Sequence, residues 1–324
     1  MIAMLISCAG CRAQEKDRFA GADPVRIHRF DKALFRLIEE GNEAGIQGEL
    51  LCDYPEMMEV LGKGVLNMQT TTTPGFFDRL EGYYSEPTLK GLYRDAITQY
   101  DSVGDIEQQL GRAFAYFRAS LPDMPLPQVY MHVSGLSQNV LVADNLLSVS
   151  IDRYMEPGYP LYQRFFHPFQ REKMRRSRVA ADYLTGWLLS EYPFAGNEDV
   201  LLERMIYEGK IRYLVSQALP DLAPDILMGY TEEEYAWCAG READVWKAIV
   251  ERRHLYTPDP AMTGKYIADA PASFISADAP GNIGVWIGWR IVCKYVEKTG
   301  AGPAGLMSGA NARDVLAKSE YKPF

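Results

Sequence analysis

The sequence predicts an α+β fold, mostly helical, with a small antiparallel sheet of about three strands embedded among helices. Three observations predict it. Apolar residues recur at helical spacing over most of the chain from Val25 onward. The period changes only between Gln128 and Asp152, where short runs rich in Val, Leu and Tyr are separated by Gly or by Asp-Asn. With 47% hydrophobic residues the chain can build a substantial core, and after the N-terminus no run of 18 apolar residues offers a membrane span.

In chain order, RIHRFDKALFRLIEEG places Phe30, Leu34, Leu37 and Ile38 on one helical face and stops at Gly41. Helical pieces follow around YPEMMEVLGKGVL and GFFDRLEGYYSEPTLKGLYRDAITQY, divided by the turn QTTTTPG. DIEQQLGRAFAYFRASLP begins at an aspartate cap and is closed by Pro122. QVYMHVSGL, NVLVAD and LLSVSID then read as an antiparallel meander. Helices resume with RRSRVAADYLTGWLLSEYP, whose Val179, Tyr183, Leu184, Trp187 and Leu188 share a face, and with VLLERMIYEGKIRYLVSQALP. In TEEEYAWCAGREADVWKAIVERR, Thr231 and Glu234 form a capping box. PGNIGVWIGWRIVCKYVEKTG sets Gly284 and Gly288 one turn apart, so that another helix can approach closely. Arg290 and Lys294 exclude a membrane dimer motif there. With no repeat, low-complexity segment or dividing linker, residues 25–324 read as a single α+β domain behind an N-terminal segment, 1–24.

That N-terminal segment carries LISCAGC. A redox Cys-x-x-Cys needs a strand, a turn and a helix start to stabilise its thiolate, and only seven residues precede Cys8. A tetrahedral metal site needs four ligands, yet His28, His132, His167 and His254 are scattered singles. Leu5, Ile6, Ser7 and Cys8 instead resemble the lipobox of bacterial lipoproteins, in which the cysteine becomes acylated after the signal peptide is cut before it. Two or more acyl chains give stable anchoring where one does not. The stub before Cys8 is shorter than a signal peptide and lacks a basic n-region, which places the true start upstream. Cys11 to Pro24 then read as a polar tether. The alternative is a ragged cytosolic N-terminus with incidental cysteines.

A net charge of −9 argues against a nucleic-acid partner, because a backbone binder needs a basic face. The local basic run QREKMRRSR reads as a solvated helix start, with an anion site as the alternative. Cys52, Cys238 and Cys293 lie far apart in apolar surroundings, as buried free thiols do.

Helix, short strands, long helix and a second helix with an internal glutamate is the order of a zincin-like metallopeptidase. Such enzymes take zinc on His-Glu-x-x-His in the first helix after the sheet, two imidazoles one turn apart with a glutamate as base. The stretch Arg175–Tyr192 has no histidine, and Asp182 and Glu191 are its only acids. Glu208 stands where a third ligand would be, or simply pairs with Arg212 one turn on. Neither a Gly-x-Ser-x-Gly nor a phosphate-binding glycine loop occurs. The expectation is therefore a pseudoenzyme with no catalytic residue, metal or cofactor. The alternative is a hydrolase with an atypical site around Glu203, Glu208 and Arg290. Trp286 and Trp289 join Arg212 and these three as a possible interaction or vestigial site, although most of the tryptophans should be core.

The strings LSVSIDRYM, ERMIYEGKIRYLV, YTEEEYAWCAGREADVWKAIVE, APASFIS, APGNIGVWIGWRIVCKYV and the terminal LAKSEYKPF occur in this order behind the lipobox. Together they resemble the GldB family of gliding-motility lipoproteins from Bacteroidetes, over nearly the whole chain from Arg29. The resemblance implies a periplasmic, lipid-anchored envelope protein whose partners are the membrane and proteins of the gliding and type IX secretion machinery. The family has no established catalytic residues, so Cys8 alone is carried over as a functional position. Neither the individual partner nor the oligomeric state follows from the sequence.

Overall fold

The computed structural model describes residues 18–41, 43–67, 70–309 and 311–323. Helices dominate, and the apolar residues they bury form one contiguous cluster. The helical periods predict most elements well. The Phe30–Glu40 helix buries Phe30, Leu34, Leu37 and Ile38 and is closed by Gly41 at φ +99°. The Val179–Glu191 helix buries Val179, Tyr183, Leu184, Trp187 and Leu188. Both halves of the Thr231 and Glu234 capping box are made.

Two long helical stretches are broken. GFFDRLEGYYSEPTLKGLYRDAITQY forms helices Phe76–Tyr84 and Pro87–Gln99, because Glu86 caps the second one and Pro87 occupies its first position. The stretch after Thr231 divides at Arg241 into Glu232–Gly240 and Glu242–Glu251. The Gly104–Ser120 helix is not capped by Asp105, which lies inside its first turn behind Val103.

The sheet is mixed and has four strands, which corrects the expected three-stranded antiparallel meander. Its order is β1 (Ile27–His28), β2 (Gln128–His132), β4 (Leu146–Ser150) and β3 (Val140–Ala143). β1 and β4 both run parallel to β2, and only β3 and β4 form the antiparallel hairpin, over the Asp144-Asn145 turn. Burial explains the order. All five residues of β4 and four of five in β2 are buried, as in a strand covered on both faces, whereas β3 has one buried, one exposed and two half-buried residues and takes the edge. β1 is two residues long, too short for any periodicity to reveal it.

The Val179–Glu191 helix packs on the sheet, and its Tyr183 hydroxyl donates to the Tyr130 carbonyl of β2. Behind it, Leu201–Ala218 packs against Ile283–Thr299, and Ala312–Ser319 lies on both. Among the described residues no helix is long and apolar enough to cross a membrane.

Candidate functional site

The two crossing helices bring the sequence-selected residues of the body into one region. A Cβ on Gly288 would lie 1.8 Å from the Met205 carbonyl oxygen, and one on Gly209 would lie 2.3 Å from the Gly288 carbonyl carbon. Backbone therefore meets backbone where the helices cross. Gly284 faces a different neighbour: its Cβ would lie 3.0 Å from Tyr266, on the Pro260–Ile267 helix.

Around this crossing the selected side chains are bonded separately. Glu203 accepts the Asn197 backbone N–H at 2.6 Å, closing the loop before its own helix. Glu208 pairs with Arg204 one turn earlier, at 3.0 Å, and not with Arg212. Arg212 donates instead to Thr185 Oγ1 at 3.1 Å, on the helix over the sheet. Burial pulls the Arg212 guanidinium below its ordinary pKa, against the opposing charge of Glu208. Trp286 and Trp289 are 1% and 8% exposed, so they belong to the core.

Arg290 turns outward, and its partner is not on the YEGK helix. Its Nε donates to Glu242 Oε1 at 3.1 Å, and the Tyr321 hydroxyl donates to the same oxygen at 2.7 Å. Tyr321 stacks edge-on against Trp246, with ring centroids 5.2 Å apart. Burial tends to lower the Arg290 pKa, but the Glu242 carboxylate outweighs it and holds the guanidinium above its ordinary value. Burial and the same carboxylate push the Tyr321 phenol upward. Glu242, Arg290, Lys294, Glu320 and Tyr321 line a groove of about 540 Å³. Sequence reasoning missed Glu242 and Tyr321 as members of this set. They lie 48 residues before and 31 residues after Arg290, and no spacing rule spans such separations.

A larger cleft, of about 770 Å³, opens beside the basic run. Its arginines are structural: Arg175 pairs with Glu172, Arg176 with Asp105 at 2.7 Å, and Arg178 with Asp182 at 2.8 Å. Arg178 also caps the Pro224–Met228 helix by donating to the Ile226 carbonyl. Asp105, Glu156, Asp225 and Glu233 contribute carboxylates to the same lining.

The bonds of Glu203, Glu208 and Arg290 join no two of these residues to each other: Glu203 holds loop backbone, Glu208 pairs within its own helix, and Arg290 reaches Glu242 on the Glu242–Glu251 helix. Among the described residues no three His, Cys, Asp or Glu side chains converge as a metal set. The chemistry on offer is ion pairing and hydrogen bonding at a groove edge. Cys8 lies outside the described residues.

Comparison with known proteins returns one family, described as gliding motility protein GldB, which matches residues 13–323. Neither the curated proteins nor the solved structures contain a match. A family match running from residue 13 to residue 323 covers nearly the whole chain, so the chain belongs to the GldB family of gliding-motility lipoproteins.

Proposed function

We propose that acyl chains on Cys8 hold this protein to an envelope membrane, on its periplasmic side, and that its body is a non-catalytic scaffold for proteins of the gliding and type IX secretion machinery. The observation that carries the reading is the Leu-Ile-Ser-Cys motif at residues 5–8, ahead of a body that belongs to a lipoprotein family. Further support comes from the bonding of Glu203, Glu208 and Arg290, each of whose charges is taken up by a separate partner within the fold. The long helix over the sheet, followed by a second helix bearing Glu208, supports a zincin-like origin for the scaffold, with Val179–Glu191 in the place of the zinc helix and no histidine in it.

The test is membrane fractionation of the chain expressed with a complete signal peptide. Cys8→Ser moves the exported protein into the soluble fraction, while Cys11→Ser stays with the membranes. Equal retention of both variants would overturn the reading.

A further inference from the structure

Residues 18–24 are fastened along the Gly104–Ser120 helix, antiparallel to it. Phe19 meets Tyr116 edge-on at 6.1 Å, the Ala22 carbonyl accepts Gln108 Nε2 at 2.9 Å, and Val25 N–H donates to the Glu107 carbonyl at 3.0 Å. The Glu107 carboxylate then takes the Ile27 N–H at 2.9 Å, where β1 begins. At the centre, Asp23 and Pro24 lie on Gly111 so closely that a Cβ there would sit 2.1 Å from the Asp23 oxygen.

We propose that this segment is a clasp that fixes which pole of the body rests on the lipid surface, a proposal that rests on acylation at Cys8. Arg18 and Phe19, the first described residues, lie beside Tyr116, near the C-terminal end of the helix. The 770 Å³ cleft is lined by Asp105, Ile106 and Gln109, at the opposite end. The helix has 17 residues and is about 25 Å long. Ten residue steps separate Cys8 from Arg18, at most about 35 Å of chain. The acylated residue is thus tied to the body at the Tyr116 pole, so that pole faces the membrane and the cleft lies at the far end, open to envelope partners.

This pole has the chemistry of a lipid interface. The Arg18 guanidinium lies over the Phe19 ring at 5.2 Å, Phe19 rests on Tyr116, and Arg118 is exposed in the last turn. Aromatic rings with adjacent cations settle at the headgroup level of a bilayer.

The test uses the acylated protein, extracted from membranes and reconstituted in phosphatidylcholine and phosphatidylglycerol vesicles containing a rhodamine headgroup lipid. A donor fluorophore is placed at Arg118→Cys or at Glu233→Cys, with Cys11, Cys52, Cys238 and Cys293 replaced by serine or alanine. Energy transfer at position 118 should exceed that at 233 by at least about threefold, given some 25 Å between the poles. Gly111→Val drives Asp23 off the helix and should bring the ratio towards one in protein that still floats with the vesicles. Phe19→Ala with Gln108→Ala loosens the same clasp without crowding the helix and should do likewise. Equal or inverted transfer in the parent overturns the proposed orientation, and an unchanged ratio in both loosened variants overturns the clasp. Parent protein that does not float with the vesicles removes the acylation reading itself, and this proposal with it.

Discussion

Gly288 stands against Gly209 with no side chain between them, so the two longest C-terminal helices touch through their backbones. A methyl group at Gly288 has no free direction, because its obstacle is the Met205 carbonyl oxygen and not the end of a flexible side chain. Gly288→Ala should therefore destabilise the protein by about 1–3 kcal/mol despite gaining roughly 1 kcal/mol of helix propensity. Gly91 provides the contrast, since nothing lies within 4 Å of a Cβ added there. Gly91→Ala should stabilise by about 0.5–1 kcal/mol. Urea midpoints of the two variants check both signs, and a stable Gly288→Ala would show that the crossing can relax.

The groove edge predicts an asymmetry between partners. Arg290 is 43% exposed at its side chain, so Arg290→Ala should cost no more than about 1 kcal/mol. Glu242 is 15% exposed and accepts from both Arg290 and the Tyr321 hydroxyl. Glu242→Ala leaves that hydroxyl without its acceptor and should cost about 1–3 kcal/mol. Melting temperatures of the two variants should rank in that order, and the reverse order would mean that the terminal segment does not depend on Glu242.

Acid should weaken the fold through His132. Its Nδ1 contacts Ser148 Oγ at 2.7 Å, and burial lowers its pKa from 6.5 to about 3. Between those values the unfolded chain binds a proton that the folded protein refuses. The stability present above pH 6.5 is thus lost as pH falls towards 3, by up to about 1.4 kcal/mol per unit. His28, also lowered by burial, acts with the same sign. Asp31 and Asp152, both raised by burial, act oppositely, adding stability in acid and losing it as pH rises above the unfolded carboxylate value. Urea titrations from neutral pH to mild acid should show the wild type losing stability relative to His132→Gln as pH falls below 6.5. Parallel pH profiles of the two proteins across that window would contradict the assignment.

Glu208 gives a test of the non-catalytic reading. Its carboxylate is paired with Arg204 at 3.0 Å, a partly buried contact one turn apart. Glu208→Ala should cost about 0.5–1 kcal/mol and leave metal content unchanged. Elemental analysis of purified wild type should find zinc well below one equivalent, and casein should remain uncut. Stoichiometric zinc that disappears in Glu208→Ala would establish a metal site.

Features settled within about four residues of chain were legible in the amino-acid order alone. The stop at Gly41, the capping box of Thr231 and Glu234, the buried face of Val179–Glu191 and the close-approach glycine at 288 all follow from local spacing, because neighbouring turns of a helix place those residues side by side. The rest depended on packing between distant segments. The order of the sheet depends on which strands are covered on both faces, and that depends on helices distant in the chain; three short runs in sequence therefore looked like a meander although β2 and β4 are parallel. Glu208 had a basic residue one turn away on either side, and the spacing could not choose Arg204 over Arg212, which the sheet-covering helix takes through Thr185. Arg290 found Glu242 and Tyr321 across long separations because packing of the helices aligned them, and Gly209 proved to be the counterpart of Gly288 only once the two helices had crossed.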